Sequence, residues 1–164
     1  MTNTLLVELD EETIDWMLRG EPAAHRGLTL PPGGVDVPFV LEIIRDIMRN
    51  LHSAGCRASW AIVSDGEVVG LCGYRRPPRA GSVEIGYGIA ESRRKLGHAT
   101  HAVQAMIELA QADPQMRSLT AETSVHNPAS ERVLEKNGFE RTGNRHDAED
   151  GELTGWRRLL SSSP

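Results

Sequence analysis

Cysteine occurs only twice in the 164 residues, at Cys56 and Cys72. That is too few for a disulfide framework or a zinc cluster, and Cys72, set in an apolar strand-like stretch, reads as a buried thiol. Long apolar runs are missing as well. No segment reaches the roughly 18 residues of a membrane-spanning helix, and the N-terminus has no apolar signal-peptide core. Positive charge is in deficit: 18 Lys and Arg against 23 Asp and Glu give a formal net charge of −5. This argues against a general binder of nucleic acid or membrane surfaces, and is compatible with a cationic acceptor. The six histidines contain no pair in a metal-ligand context. Aromatics make up only 4% of the chain, and Trp60, Trp156 and Tyr74 read as core or sheet-face residues rather than an acceptor cage. What is left is an ordinary globular composition, long enough to bury a proper core. The expectation is a cytoplasmic enzyme-sized domain over residues 1–164, with no metal.

Hydrophobic period and turn chemistry divide the chain. Thr4 to Glu8 reads as a strand and Glu11 to Arg19 as a short helix closed by Gly20. Glu21 to Gly34, with three prolines and three glycines, is a loop, first a plain connection and second a lid or acceptor loop. Val37, Val40, Leu41, Ile44, Ile47, Met48 and Leu51 mark an amphipathic helix running to about Ala54. Ser59 to Val63 and Val68 to Tyr74 flank Asp65-Gly66, a strong hairpin signal. Arg75 to Ala80 is a basic turn and Val83 to Ile89 a strand. Ala99, Ala102, Val103, Met106, Ile107 and Ala110 recur with helical spacing until Asp113-Pro114 breaks the chain. Ser118 to Ser124 is a strand. Asn127-Pro128 opens a helix that stops at Asn137-Gly138. Phe139 to Arg145 and Leu153 to Leu160 form a last strand pair around an acidic turn, Asp147 to Glu152. The fold class is therefore α/β (α+β): a mixed, mostly antiparallel sheet of about seven strands with about four helices.

Residues 83 to 100 organise the rest. A strand holding Glu84, Gly86 and Gly88 leads through Arg93, Arg94 and Lys95 into a helix N-terminus. First-turn N–H groups lack intrahelical partners and the helix dipole favours negative charge, so this is a ready anion site. The Gly-Lys-Ser/Thr ending of a P-loop is absent. Gly86 and Gly88 begin a dinucleotide GxGxxG pattern, but Glu91 stands where its third glycine belongs and would oppose a pyrophosphate. Arg94-x-x-Gly97-x-Ala99 instead resembles the pyrophosphate loop of the GNAT superfamily of acyl-CoA-dependent N-acyltransferases. Asn127-Pro-Ala-Ser130 running on to Gly138-Phe139 resembles the segment that closes that family's cofactor cleft, 30 residues after the loop. Glu-Ile-Gly-Tyr in the strand and Ser130-x-x-Val-x-Glu-Lys-x-Gly-Phe in the helix are most similar to the branch containing ribosomal-protein N-acetyltransferases. The resemblance covers roughly residues 59 to 160.

The resemblance implies acetyl-CoA as co-substrate. It places the cofactor at Tyr87, Ile89, Arg94, Lys95, Gly97, His98, Ala99, Thr100, Asn127 and Ser130. Acyl transfer to an amine also needs a proton acceptor, because a lysine-like ammonium has a pKa of about 10.4. Glu84, a carboxylate inside an apolar strand beside the loop, is the candidate base, with a structural ion pair as its other use. Gly86 and Gly88 mark a bulge or a close backbone approach. The resemblance suggests that the strand splays there, so that backbone groups around Tyr87 and Ile89 meet the pantetheine and the thioester carbonyl. Many relatives carry a proton-donating tyrosine seven residues after the helix-opening asparagine. Here that position is Leu134, and only Ser130 is left to help hold the sulfur. The implied function is transfer of an acetyl group to a primary amine, on a small molecule or a peptide or protein N-terminus. A transferase for another acyl-CoA, or a catalytically silent acyl-CoA-binding regulator, is the alternative, and a homodimer is left open.

Overall fold

Asp65 and Gly66 both take left-handed backbone angles, φ 50° and 77°, as a two-residue hairpin turn requires. They join β2 (Ser59–Ser64) to β3 (Glu67–Tyr74). In this computed structural model, which describes residues 3–161, that hairpin is central to one half of the sheet. β1 (Thr4–Glu8) lies on its outer side and β4 (Ser82–Ile89) on its inner side. The other half comprises β5 (Ser118–Ser124), β6 (Glu140–Asp147) and β7 (Gly151–Leu159). The strand order is β1-β2-β3-β4-β5-β7-β6, antiparallel throughout except for the β4/β5 pair.

Among the described residues four helices cover the two faces. α1 (Glu11–Arg19) starts at Asp10, whose carboxylate accepts from the Thr13 N–H at 2.9 Å, and ends at left-handed Gly20. α2 (Pro38–Ser53) packs with it over Ala61, Val63, Val68 and Leu71. On the opposite face α3 (His98–Gln111) and α4 (Pro128–Lys136) enclose the larger core, with Met106, Leu119, Leu134 and Trp156 almost wholly buried. No helix among the described residues is long and apolar enough to cross a membrane.

The expected elements occur in the expected order, with differences at their ends. The last hairpin closes more tightly, because the Asp147 carboxylate accepts from the Glu149 and Asp150 N–H groups and pulls the strand ends together. Its turn is therefore residues 148–150 rather than Asp147 to Glu152. Of the two readings of Gly86 and Gly88, a bulge or a close backbone approach, the bulge is absent from the β3/β4 pair. The β3/β4 register runs unbroken from Gly70↔Ile89 to Tyr74↔Ile85, and the irregularity falls at Ile62/Val63 on β2 instead.

Candidate active site

β4 and β5 pair only from Ser82↔Ser118 to Glu84↔Thr120. Beyond Glu84 the strands part, while β4 stays bonded to β3 as far as Ile89. The parting thus begins just before the two glycines. The Glu84 carbonyl accepts from the Arg75 N–H and the Ala90 N–H donates to the Val69 carbonyl, both on the β3 side. By strand alternation the backbone groups of Ile85, Tyr87 and Ile89 point the other way, into the gap. A strand edge with unpaired amides inside a protein needs a partner, so the gap is a place for an extended ligand.

Side chains alternate too. Val83, Ile85, Tyr87 and Ile89 face the core under α3 and α4, so Glu84, Gly86 and Gly88 face the side of α2. The sheet separates the two groups and the gap is the way through. Glu84 is largely shielded, with 23% of its side chain exposed, and its Oε2 lies 3.6 Å from Nε of Arg75. Arg75, which was read only as part of a basic turn, lies along Gly86: a Cβ added there would stand 3.3 Å from its guanidinium. The signal for this pair was cross-strand register, since Arg75 follows Tyr74 opposite Ile85.

The phenol of Tyr87 crosses the gap. Its hydroxyl is 2.8 Å from Ser130 Oγ and donates to the Ser130 carbonyl at 3.1 Å. Burial pushes the phenol up to about 12 against the lowering effect of Ser130, so it stays protonated at neutral pH. Sequence reasoning assigned Tyr87 only its backbone. Asn127 caps α4, accepting from the Ser130 N–H at 3.1 Å, which leaves its Nδ2 without a partner among the described residues. Leu134 is fully buried in the core.

At the far end of β4 a single 3-10 turn (Glu91–Arg93) leads to Gly97, which is left-handed at φ 85° and starts α3 with no side-chain cap. The first-turn N–H groups of His98, Ala99 and Thr100 are thus open to an anion. Arg93 is tied to Glu67 at 2.6 Å. Arg94 and Lys95 have no acidic partner among the described residues, and Arg94 Nε donates to the Ile89 carbonyl at 3.3 Å. The His98 ring turns inward, 3% exposed with Nδ1 3.3 Å from Thr4 Oγ1. Burial, with His101 and Arg93 nearby, lowers its pKa, so a neutral ring sits behind the loop and only its N–H faces the anion site. The sequence-predicted residues therefore form two clusters: Arg94 to Thr100 at the helix terminus, and Tyr87, Ile89, Asn127 and Ser130 at the gap. Glu84 stands on the other face.

Comparison with known proteins agrees with this fold. The profile of the acetyltransferase (GNAT) domain matches residues 5–140. The ribosomal-protein-serine acetyltransferase of Escherichia coli K12 is 31% identical over 90 residues, covering 54% of this chain and 50% of that protein. The uncharacterized N-acetyltransferase YjdG of Bacillus subtilis strain 168 is 32% identical over 106 residues, 63% of this chain and 61% of that one. The chain thus spans about half to three-fifths of the length of these curated relatives. Among solved structures, RimL, a ribosomal L7/L12 alpha-N-protein acetyltransferase in complex with coenzyme A, shares the fold with a TM-score of 0.74. Its identity is 19%, over 99% of this chain and 97% of that one. The aminoglycoside acetyltransferase AAC(6')-Ib, also in complex with coenzyme A, gives 0.65 at 18% identity over 96% and 95%. At such identities the likeness is one of fold.

Proposed function

Since this chain belongs to the GNAT acetyltransferase family, we propose that it transfers the acetyl group of acetyl-CoA to the amine of a peptide or protein in the cytoplasm. The observation that carries this reading is the parting of β4 from β5 after Glu84, with an uncapped helix N-terminus at its end. The residues fit the co-substrate: Gly97 supplies the left-handed start of α3, and a Cβ there would meet only His101 at 3.9 Å. The N–H groups of His98, Ala99 and Thr100, with Arg94 and Lys95, hold the pyrophosphate. Tyr87, Ile89 and Asn127 hold the pantetheine arm.

Acetyl-CoA supplies an acyl carbon activated as a thioester. Glu84 takes the proton that the attacking ammonium must lose, directly or through water, while Arg75 steadies the carboxylate. The backbone N–H groups of β4 at the gap stabilise the carbonyl oxygen as it gains charge. As the C–S bond breaks and its electron pair goes to sulfur, Ser130 gives the sulfur a proton and takes one from the Tyr87 hydroxyl 2.8 Å away. The phenolate, with a pKa of about 12, regains its proton from water. That pair stands in for the tyrosine that Leu134 replaces.

Thermal unfolding with acetyl-CoA, CoA and NAD, followed by thiol release in the presence of amines, tests the reading. At a hundredfold excess over the dissociation constant, ligand binding adds about 2.7 kcal/mol of stability. A rise in Tm with both CoA forms and not with NAD, together with amine-dependent thiol release, is expected. A rise without thiol release on any amine would make the chain a silent acyl-CoA binder. No rise at all would end the proposal.

A further inference from the structure

On the α2 side of the sheet lies a cavity of about 210 Å³, lined in part by Arg75, the ion-pair partner of Glu84. Its α2 wall is apolar, from Val40, Ile43, Ile44 and Ile47, its floor includes Gly73, Gly86 and Gly88, and Asp36, Ser59 and Arg75 complete the lining. Gly88 has no structural reason to be glycine. Its φ is not left-handed, and a Cβ added there would find nothing within 4 Å. A strand glycine of this kind leaves room for something that is not part of the chain. We propose, building on the acetyltransferase reading above, that this groove takes the first residue of a peptide acceptor and selects an apolar side chain there.

Size, polarity and reach support that occupant. An apolar cavity of about 150 Å³ accepts a benzene ring, so the space here suits one large aliphatic or aromatic side chain. An acidic or basic first side chain would lose its hydration against four aliphatic residues, and the charged groups of the lining are already engaged, Arg75 with Glu84 and Asp36 with the Val37 N–H. The polar groups fit an α-amino group with a carbonyl one bond beyond it. Glu84 receives the ammonium, and the guanidinium of Arg75, on the groove wall 3.6 Å away, donates to the first peptide oxygen. Asp36, at the other end, already accepts from the Val37 N–H at 2.8 Å. The apolar surface continues outside the cavity. Ile43 is 42% exposed, and Phe39, one turn before it on the same helical face, is 71% exposed. A small amine would leave that extension bare, whereas later residues of a peptide would cover it.

The test measures kcat/KM of the full chain with acetyl-CoA on peptides identical except for a first residue of leucine, serine or aspartate. Free leucine and isoamylamine serve as non-peptide arms. The leucine-first peptide is expected to exceed the aspartate-first peptide at least tenfold and both free amines by more. In Ile43→Asp the preference should fall towards unity while the Tm rise with acetyl-CoA is kept. Equal rates across the peptides, a preference for aspartate or serine, or an unchanged ratio in Ile43→Asp overturns the groove assignment. Turnover of the free amines in preference to every peptide overturns the peptide assignment and leaves acetyl transfer standing. Absence of turnover on every acceptor overturns both.

Discussion

Glu84 is a charged residue between buried Val83 and Ile85, tolerated because Arg75 lies beside it and 23% of its side chain stays exposed. Replacing it with glutamine keeps the shape and removes the base. Glu84→Gln should lower kcat/KM by about 10²–10⁴-fold near neutral pH, with the acetyl-CoA dissociation constant little changed. Full activity across about pH 6 to 9 would reduce Glu84 to an ion-pair partner. Tyr87 has a different signature. Tyr87→Phe keeps the ring and removes the hydroxyl that reaches Ser130. Its rate defect should be largest at low pH and fade above about pH 8.5, where the departing thiolate needs no proton. A defect that is flat with pH would leave the hydroxyl a structural contact.

At the scale of elements, the start of α3 and the start of α1 are built differently, and each makes a distinct prediction. α3 begins on Gly97 with no side chain to satisfy its first N–H groups. Gly97→Glu would place a carboxylate there and strain a left-handed position, so acetyl-CoA should no longer raise the Tm while the far-UV spectrum is retained. Unchanged binding would remove the loop from the site. α1 begins on Asp10, which accepts from the Thr13 N–H and hydroxyl and pairs with Arg26. Burial alone would raise its pKa, but these partners outweigh burial and hold it at about 2. Asp10→Ala should cost about 1 kcal/mol at neutral pH from the lost cap. Arg26 adds little, since its pairing is open to water. The folded pKa lies below the unfolded value of about 3.9, so this stabilisation is complete above that value and is lost as the pH falls towards about 2. The gap between wild type and variant in urea midpoint should therefore be smaller at pH 3 than at pH 6. An equal gap at both would mean that the charge plays no part.

At the scale of the whole molecule, two half-sheets meet along three residue pairs of β4 and β5 and share the core under α3 and α4. Leu119 lies at that junction, fully buried and opposite Val83. Leu119→Ala should destabilise by about 2–5 kcal/mol in equilibrium urea unfolding, with one transition if the halves unfold together. Two separated transitions would show that they do not.

Most of the elements were legible because they rest on local chemistry. The Asp65-Gly66 turn, the helix ended by Gly20 and the Asn127-Pro128 start each need only neighbouring residues, and strand and helix periods follow from which face is buried. The anion loop was legible for the same reason: its glycine, its cations and its helix lie within seven residues, Arg94 to Thr100. What the chain order could not tell was which side chains would meet across the sheet. Arg75 reaches Glu84 only because β3 and β4 run antiparallel in that register. Tyr87 reaches Ser130, 43 positions away, only because β5 leaves β4 after Thr120 and lets α4 approach. The groove on the other face needs α2 to lie over glycines from two strands. Short-range stereochemistry decided the pieces. Strand register and helix docking, which depend on every buried contact at once, decided the site.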